Sequence, residues 1–212
     1  MLVIFDLDNT LVDRARFFRE WAQLFTDDRN LGASGVQWLH EADEDGVSAR
    51  MVLFERTRER FELPESVEEL VDAYWRDQLQ RYRCEPDTVE ALRGLRRSGY
   101  RIGIATNGGS AQSKKIVAAG LDALVDGWCV SREVGYAKPD RQLFEAVATR
   151  CGASLDGAWV VGDRPEADIA GAVSIGARSV WITRGGEWTE STYRPTLTAR
   201  TPSEAIAQIV SA

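Results

Sequence analysis

Short apolar runs separated by helical patterns constrain this chain more than any other feature. Leu2–Phe5 is apolar and stops at Asp6; Arg101–Ala105, Ala158–Val161 and Ser179–Ile182 are similar, and Gly127–Val130 is a weaker case. Runs of four or five residues without alternation read as strands buried on both faces. Helical patterns precede the later runs: Glu90–Arg97, with Ala91, Leu92 and Leu95 apolar, then Gln142–Arg150 and Ala167–Ser174. Strands alternating with helices imply right-handed crossovers and a parallel sheet sandwiched by helices, an α/β fold. Gly99, Gly120, Gly152 and Gly176 stand where those helices should end.

The alternation is broken between about Asp13 and Arg83. This stretch is rich in Arg and Glu, with Phe17, Trp21, Leu24, Phe25, Met51, Val52, Phe54, Leu70, Val71, Tyr74 and Trp75 at helical spacing. It reads as an all-helical insert after the first strand, with the aromatic residues as its own core. The expected division is 1–12 and 87–212 for the sheet domain and 13–86 for the helical one. His40, the one histidine, falls in the insert as a surface or core residue, and Asp43-Glu44-Asp45-Gly46 reads as a helix-ending loop. Arg14 and Arg50 are either a solvated helix face or contacts for a substrate anion.

Composition removes several function classes. The 212 residues carry 26 Lys+Arg against 33 Asp+Glu, a net charge of −7, which argues against general binding to a nucleic-acid polymer. Cys84, Cys129 and Cys151 form no Cys-x-x-Cys pair, so zinc and redox motifs find no support. Their odd number, with Asp6 and Asp8 interrupting the one early apolar run, favours reduced thiols and a cytoplasmic protein. No apolar stretch approaches the roughly 18 residues of a membrane span. A monomer and a homodimer are both compatible with this surface charge.

Four polar clusters follow the strands. Asp6-Leu7-Asp8-Asn9-Thr10 places two carboxylates on one side of an extended segment, a pair that a hard cation such as Mg²⁺ would join. Thr106-Asn107-Gly108-Gly109-Ser110 offers backbone N–H groups and a hydroxyl at a strand-to-helix turn, a cradle for an anion. Lys138 precedes Pro139 in a chain with two other lysines, Lys114 and Lys115. Gly162-Asp163 ends a strand, with Asp168 five residues on. Each cluster alone is equally an Asx-type turn, a helix cap with Ser110 as N-cap, or a surface lysine. Together they occupy the carboxyl ends of consecutive strands, where parallel sheets bind ligands. One pocket with four carboxylates, one ammonium and a hydroxyl calls for a divalent cation and an anionic substrate, and phosphoryl transfer meets that demand.

Asp6/Asp8, Thr106, Lys138 and Asp163/Asp168, in that order, resemble the four motifs of the haloacid dehalogenase superfamily, over nearly the whole chain. The resemblance implies a Rossmann-like core and a helical type-1 cap, with hinges near Asp13 and Cys84–Asp87. It implies Asp6 as nucleophile, Asp8 as general acid and base, Thr106 and the Asn107 amide as phosphate ligands, and Lys138 as the group that binds phosphate and orients Asp6. Mg²⁺ would be held by the Asp6 carboxylate, the Asp8 carbonyl and Asp163, with Asp168 behind Lys138 or a metal-bound water. Dehalogenases of this superfamily lack the second Asp, so Asp8 favours a phosphatase of a small phosphorylated metabolite. The Asp-Asn-Thr form with Thr106-Asn107-Gly108 is similar to its nucleotidase and acyl-sugar phosphatase members, and a phosphomutase is a lesser alternative. A non-catalytic phospho-acceptor module would also place acids, Thr and Lys at strand ends, but without such an insert.

Overall fold

A computed structural model describes residues 1–212. Strand β1 (Leu2–Phe5) is followed by four helices, α1 (Arg14–Asp28), α2 (Gly32–Asp43), α3 (Arg50–Phe61) and α4 (Val67–Arg81). Helix α5 (Pro86–Arg97) then leads through β2 (Arg101–Thr106), α6 (Ala111–Ala118), β3 (Gly127–Val130), α7 (Ser131–Val134), α8 (Arg141–Arg150) and β4 (Trp159–Gly162). A π-helical turn at Pro165–Ile169 runs into α9 (Ala170–Ser174), before β5 (Arg178–Ile182), β6 (Leu197–Ala199) and α10 (Pro202–Ser211).

The six strands form one sheet in the order β3-β2-β1-β4-β5-β6, and every pairing is parallel. Chain order reverses at β1, so β2 leaves on one side and β4 on the other. That switch point opens a crevice beyond the carboxyl ends of the strands. All four residues of β1 are buried, and successive side chains point to opposite faces. Leu2 and Ile4 pack with Leu143, Phe144 and Val147 of α8 and with Val160, while α5 and α10 pack together elsewhere in the unit. Gly99, Gly120, Gly152 and Gly176 all take positive φ after their helices. The sequence reading did not contain β6: three residues, with Leu197 half-buried and Thr198 exposed, carry no apolar run.

The chain divides into two compact units, Met1–Val12 with Arg83–Ala212, and Asp13–Tyr82. The second junction falls at Tyr82/Arg83, not at 86/87, because Cys84 belongs with the sheet: its Sγ lies 3.4 Å from the Leu11 carbonyl oxygen. Within the helical unit, Phe18, Trp21, Phe25, Leu39, Leu53, Phe54, Leu70 and Tyr74 form the core. Leu24, Met51 and Val52, of the same apolar pattern, are exposed. His40 is half-buried, edge-on to Phe18 at 5.7 Å. Arg14 is buried, not solvated. It and Arg50 both donate to Asp43 Oδ1 at 2.5 Å, so the last residue of α2 anchors two guanidinium groups.

Two glycines test this packing in opposite directions. A Cβ at Gly103 in β2 would lie 2.4 Å from Val147 Cγ1 and 3.0 Å from Cys151 Sγ. One at Gly94 in α5 would meet nothing nearer than 3.8 Å. Gly103→Ala should lower unfolding free energy by about 1–3 kcal/mol, and Gly94→Ala should raise it by about 0.5–1 kcal/mol, both read from urea midpoints.

Candidate active site at the switch point of the sheet

Asp6 follows β1 directly, and its N–H donates to Val161 O at 2.9 Å, so its backbone continues the sheet into the crevice. Thr106 is the last residue of β2, and Asp163 follows β4. Three adjacent strands therefore deliver Asp6, Thr106 and Asp163 to one edge. Lys138 arrives from the loop between α7 and α8. Its Nζ donates to Asp6 Oδ1 at 2.5 Å and to Asp168 Oδ1 at 2.7 Å. The loop is held by Asn107, whose Oδ1 accepts from Lys138 N at 2.8 Å while its Nδ2 donates to Lys138 O at 3.0 Å. The Asn107 side chain is thus committed to Lys138, and only its backbone N–H can turn to an anion.

Asp168 reaches Lys138 because Gly162 has no side chain. A Cβ there would fall 2.2 Å from Asp168 Cγ and Oδ2. The regular helix expected over Ala167–Ser174 opens with a π turn instead. Within it, Asp168 N donates to Arg164 O at 2.8 Å and Asp168 Oδ2 accepts from Arg164 N at 3.0 Å. This reciprocal pair aims the carboxylate inward, which the spacing of residues could not show. Ser110 caps nothing with its side chain. The loop after β2 is held by Ser131, whose Oγ accepts from Gly108 N at 3.0 Å.

Negative charge exceeds positive at this edge. Carboxylate oxygens of Asp6, Asp163 and Asp168 lie within 4.8 Å of one another. Burial pushes the Asp6 carboxyl up to about 6 despite the pull of Lys138. Burial, then repulsion by Asp6 and Asp168, pushes Asp163 up to about 8. Burial disfavours the Lys138 ammonium, but Asp168 and Asp6 outweigh it and hold its pKa above the ordinary range. Asp163 Oδ2 accepts from Arg184 at 3.1 Å, whereas Asp163 Oδ1 is buried with no hydrogen-bond partner. An orphaned carboxylate oxygen beside a second crowded acid fits a hard divalent cation. Both oxygens of Asp168 are already engaged, so Asp6 and Asp163 are the better donors.

A family model for haloacid dehalogenase-like hydrolases matches residues 1–176. The chain belongs to that family. It is 37% identical over 123 residues to a phosphoserine phosphatase of Thermus thermophilus, a match covering 58% of this chain and 49% of the relative. It is 29% identical over 202 residues to a glyceraldehyde 3-phosphate phosphatase of Pyrococcus abyssi, covering 87% and 82%. The chain spans about half the length of several curated relatives it matches, the phosphoserine phosphatase among them. Among solved structures, a HAD phosphatase from Thermococcus onnurineus superposes with a TM-score of 0.68 at 26% identity, over 98% of this chain and 97% of that one. No helix is long and apolar enough to cross a membrane.

Sequence reasoning missed three residues at this edge. Arg184 lies beyond β5 in the turn closed by Gly186 N to Thr183 O. Gln112 and Lys115 come from α6 and contact Asp8. The scarcity of lysine was the available signal for Lys115.

The raised acids set a pH dependence. Asp6 and Asp163 bind protons more tightly folded than unfolded, so their contribution favours the fold at low pH and is lost as pH rises. In EDTA, unfolding free energy should fall between the ordinary carboxylate value of 3.8 and about 8 for Asp163. The slope should be seen in urea titrations from about pH 6.5 upward, clear of the acids with lowered pKa and of His40, whose pKa burial lowers from 6.5 and whose slope is opposite. Asp163→Asn should flatten that slope.

Proposed function

We propose that this chain is a Mg²⁺-dependent phosphomonoesterase that acts on a small metabolite through an aspartyl-phosphate. The observation that carries the proposal is Asp6, set at the switch point with Lys138 on one oxygen and the under-neutralised Asp163 beside it. With its pKa pushed up to about 6, the Asp6 carboxyl is still ionised at neutral pH, and the Lys138 ammonium aims it, as a nucleophile requires. Relatives named for phosphoserine, glyceraldehyde 3-phosphate and ribulose-1,5-bisphosphate phosphatases support a small phosphorylated substrate.

Asp6 attacks phosphorus; its Oδ–P bond forms as the bond to the leaving oxygen breaks, and Asp8 gives that oxygen a proton. Water then attacks the same phosphorus. It loses its proton to Asp8, and the Asp6 Oδ–P bond breaks to release phosphate and the free carboxylate. The Thr106 hydroxyl, the Asn107 N–H and the Lys138 ammonium hold the phosphoryl oxygens, and Asp168 keeps Lys138 in place. Mg²⁺, held by the Asp6 carboxylate, the Asp8 carbonyl and Asp163, would neutralise charge on the phosphoryl group. The helical unit, residues 13–82, is assigned as the cap that selects the alcohol portion and excludes water. Three free, buried cysteines suit a cytoplasmic enzyme.

Phosphate release from a panel of sugar, amino-acid and nucleoside monophosphates should require Mg²⁺ and vanish in EDTA. Asp6→Asn should leave the circular dichroism spectrum unchanged and cut turnover to below about a thousandth of wild type. Wild-type turnover in that variant would remove Asp6 as nucleophile, and full activity in EDTA would remove the metal.

A further inference from the structure

Asp8 is gripped by two side chains of α6. Lys115 Nζ donates to Asp8 Oδ2 at 2.7 Å and to Oδ1 at 3.0 Å. Gln112 Nε2 lies 2.9 Å from Asp8 Oδ2, 2.7 Å from Thr106 Oγ1 and 3.4 Å from Asn107 O. Lys115 and Gln112 are 4% and 5% exposed. They stand three apart on one helix, a spacing that puts both on one face. Gly108 makes room for this arrangement, since a Cβ there would fall 2.8 Å from Gln112 Cγ.

We propose that Lys115 and Gln112 are positioning residues that fix the ionised Asp8 carboxylate as the base that takes the proton of the attacking water. The inference rests on the phosphomonoesterase reading above. Asp8 opens a tight turn, in which Asn9 N donates to Val12 O at 2.7 Å and Val12 N to Leu7 O at 3.1 Å. The turn sets the Asp8 backbone, while the side chain keeps 22% exposure and needs its own restraint. A catalytic base must be held to about half an ångström of its working geometry. Lys115 meets both oxygens and Gln112 meets Oδ2, so the carboxylate is restrained in its ionised form. The carboxamide also ties Asp8 to Thr106, so the base and the phosphate-holding hydroxyl keep one separation. Burying an ammonium to meet a part-exposed acid costs desolvation that a methionine at 115 would avoid.

The test separates the two half-reactions. Release of p-nitrophenolate, a leaving group that needs no proton, reports formation of the aspartyl-phosphate, whereas hydrolysis of that intermediate needs Asp8 as base. Lys115→Met should lower kcat on p-nitrophenyl phosphate about 100-fold, change the first-turnover release of p-nitrophenolate by less than about threefold, and so produce a burst of p-nitrophenolate as aspartyl-phosphate accumulates. Lys115→Arg should recover most of kcat. Gln112→Leu, which strands no buried charge, should show the same burst to a smaller degree and covers the case in which Lys115→Met does not fold. Equal losses of first-turnover rate and kcat, or no loss, in the folded variants would overturn the proposal alone. A wild type that turns over neither p-nitrophenyl phosphate nor any alkyl phosphate would overturn the phosphomonoesterase reading and the positioning role with it.

Discussion

The ammonium of Lys138, placed between Asp6 and Asp168, is the contact around which the site is arranged. It is buried together with its partners, and breaking such a pair leaves a charge poorly compensated. Much of the local structure reads as a means of meeting that demand. Asn107 clamps the lysine's backbone, Gly162 clears space for the Asp168 carboxylate, and the π turn rotates that carboxylate inward. Local rules of helix regularity give way where the charge must be paired, and π turns occur often at such places.

One ammonium does not balance three acids. The surplus appears as the raised pKa of Asp163 and Asp6 and as the orphaned Asp163 Oδ1. Arg184 relieves it only at Asp163 Oδ2. The same surplus would favour a divalent cation, and stability and metal binding would then be linked through the same carboxylates. The sheet supports this arrangement by geometry. β1 is buried along its whole length and flanked by β2 and β4, so its end is rigid in a way a surface loop is not.

The helical unit obeys a different logic. Its core is built from aromatic rings at helical spacing, with Trp21 meeting Phe25, Phe54 and Tyr74 at 4.8–5.5 Å between centroids. Its charged centre is Asp43 with two arginines. A single carboxylate facing two guanidinium groups is the reverse of the imbalance in the sheet unit, and each unit satisfies its charges by separate means.

By itself the sequence determined the parallel sheet, the helical insert and the positions of Asp6, Asp8, Thr106, Lys138 and Asp163. These follow from local signals: apolar runs that end in polar clusters, and glycines at helix ends. Tertiary structure decided what those signals do not encode. It showed that Asp168 turns to Lys138, that the Asn107 side chain serves the lysine's backbone, and that Gln112 and Lys115 join Asp8 across more than a hundred residues of chain. It buried Arg14, added β6 and moved the unit boundary to Tyr82. The physical reason is common to all of these. A side chain's partner is set by the direction in which packing points it, and sequence spacing carries that direction only within a regular helix or strand.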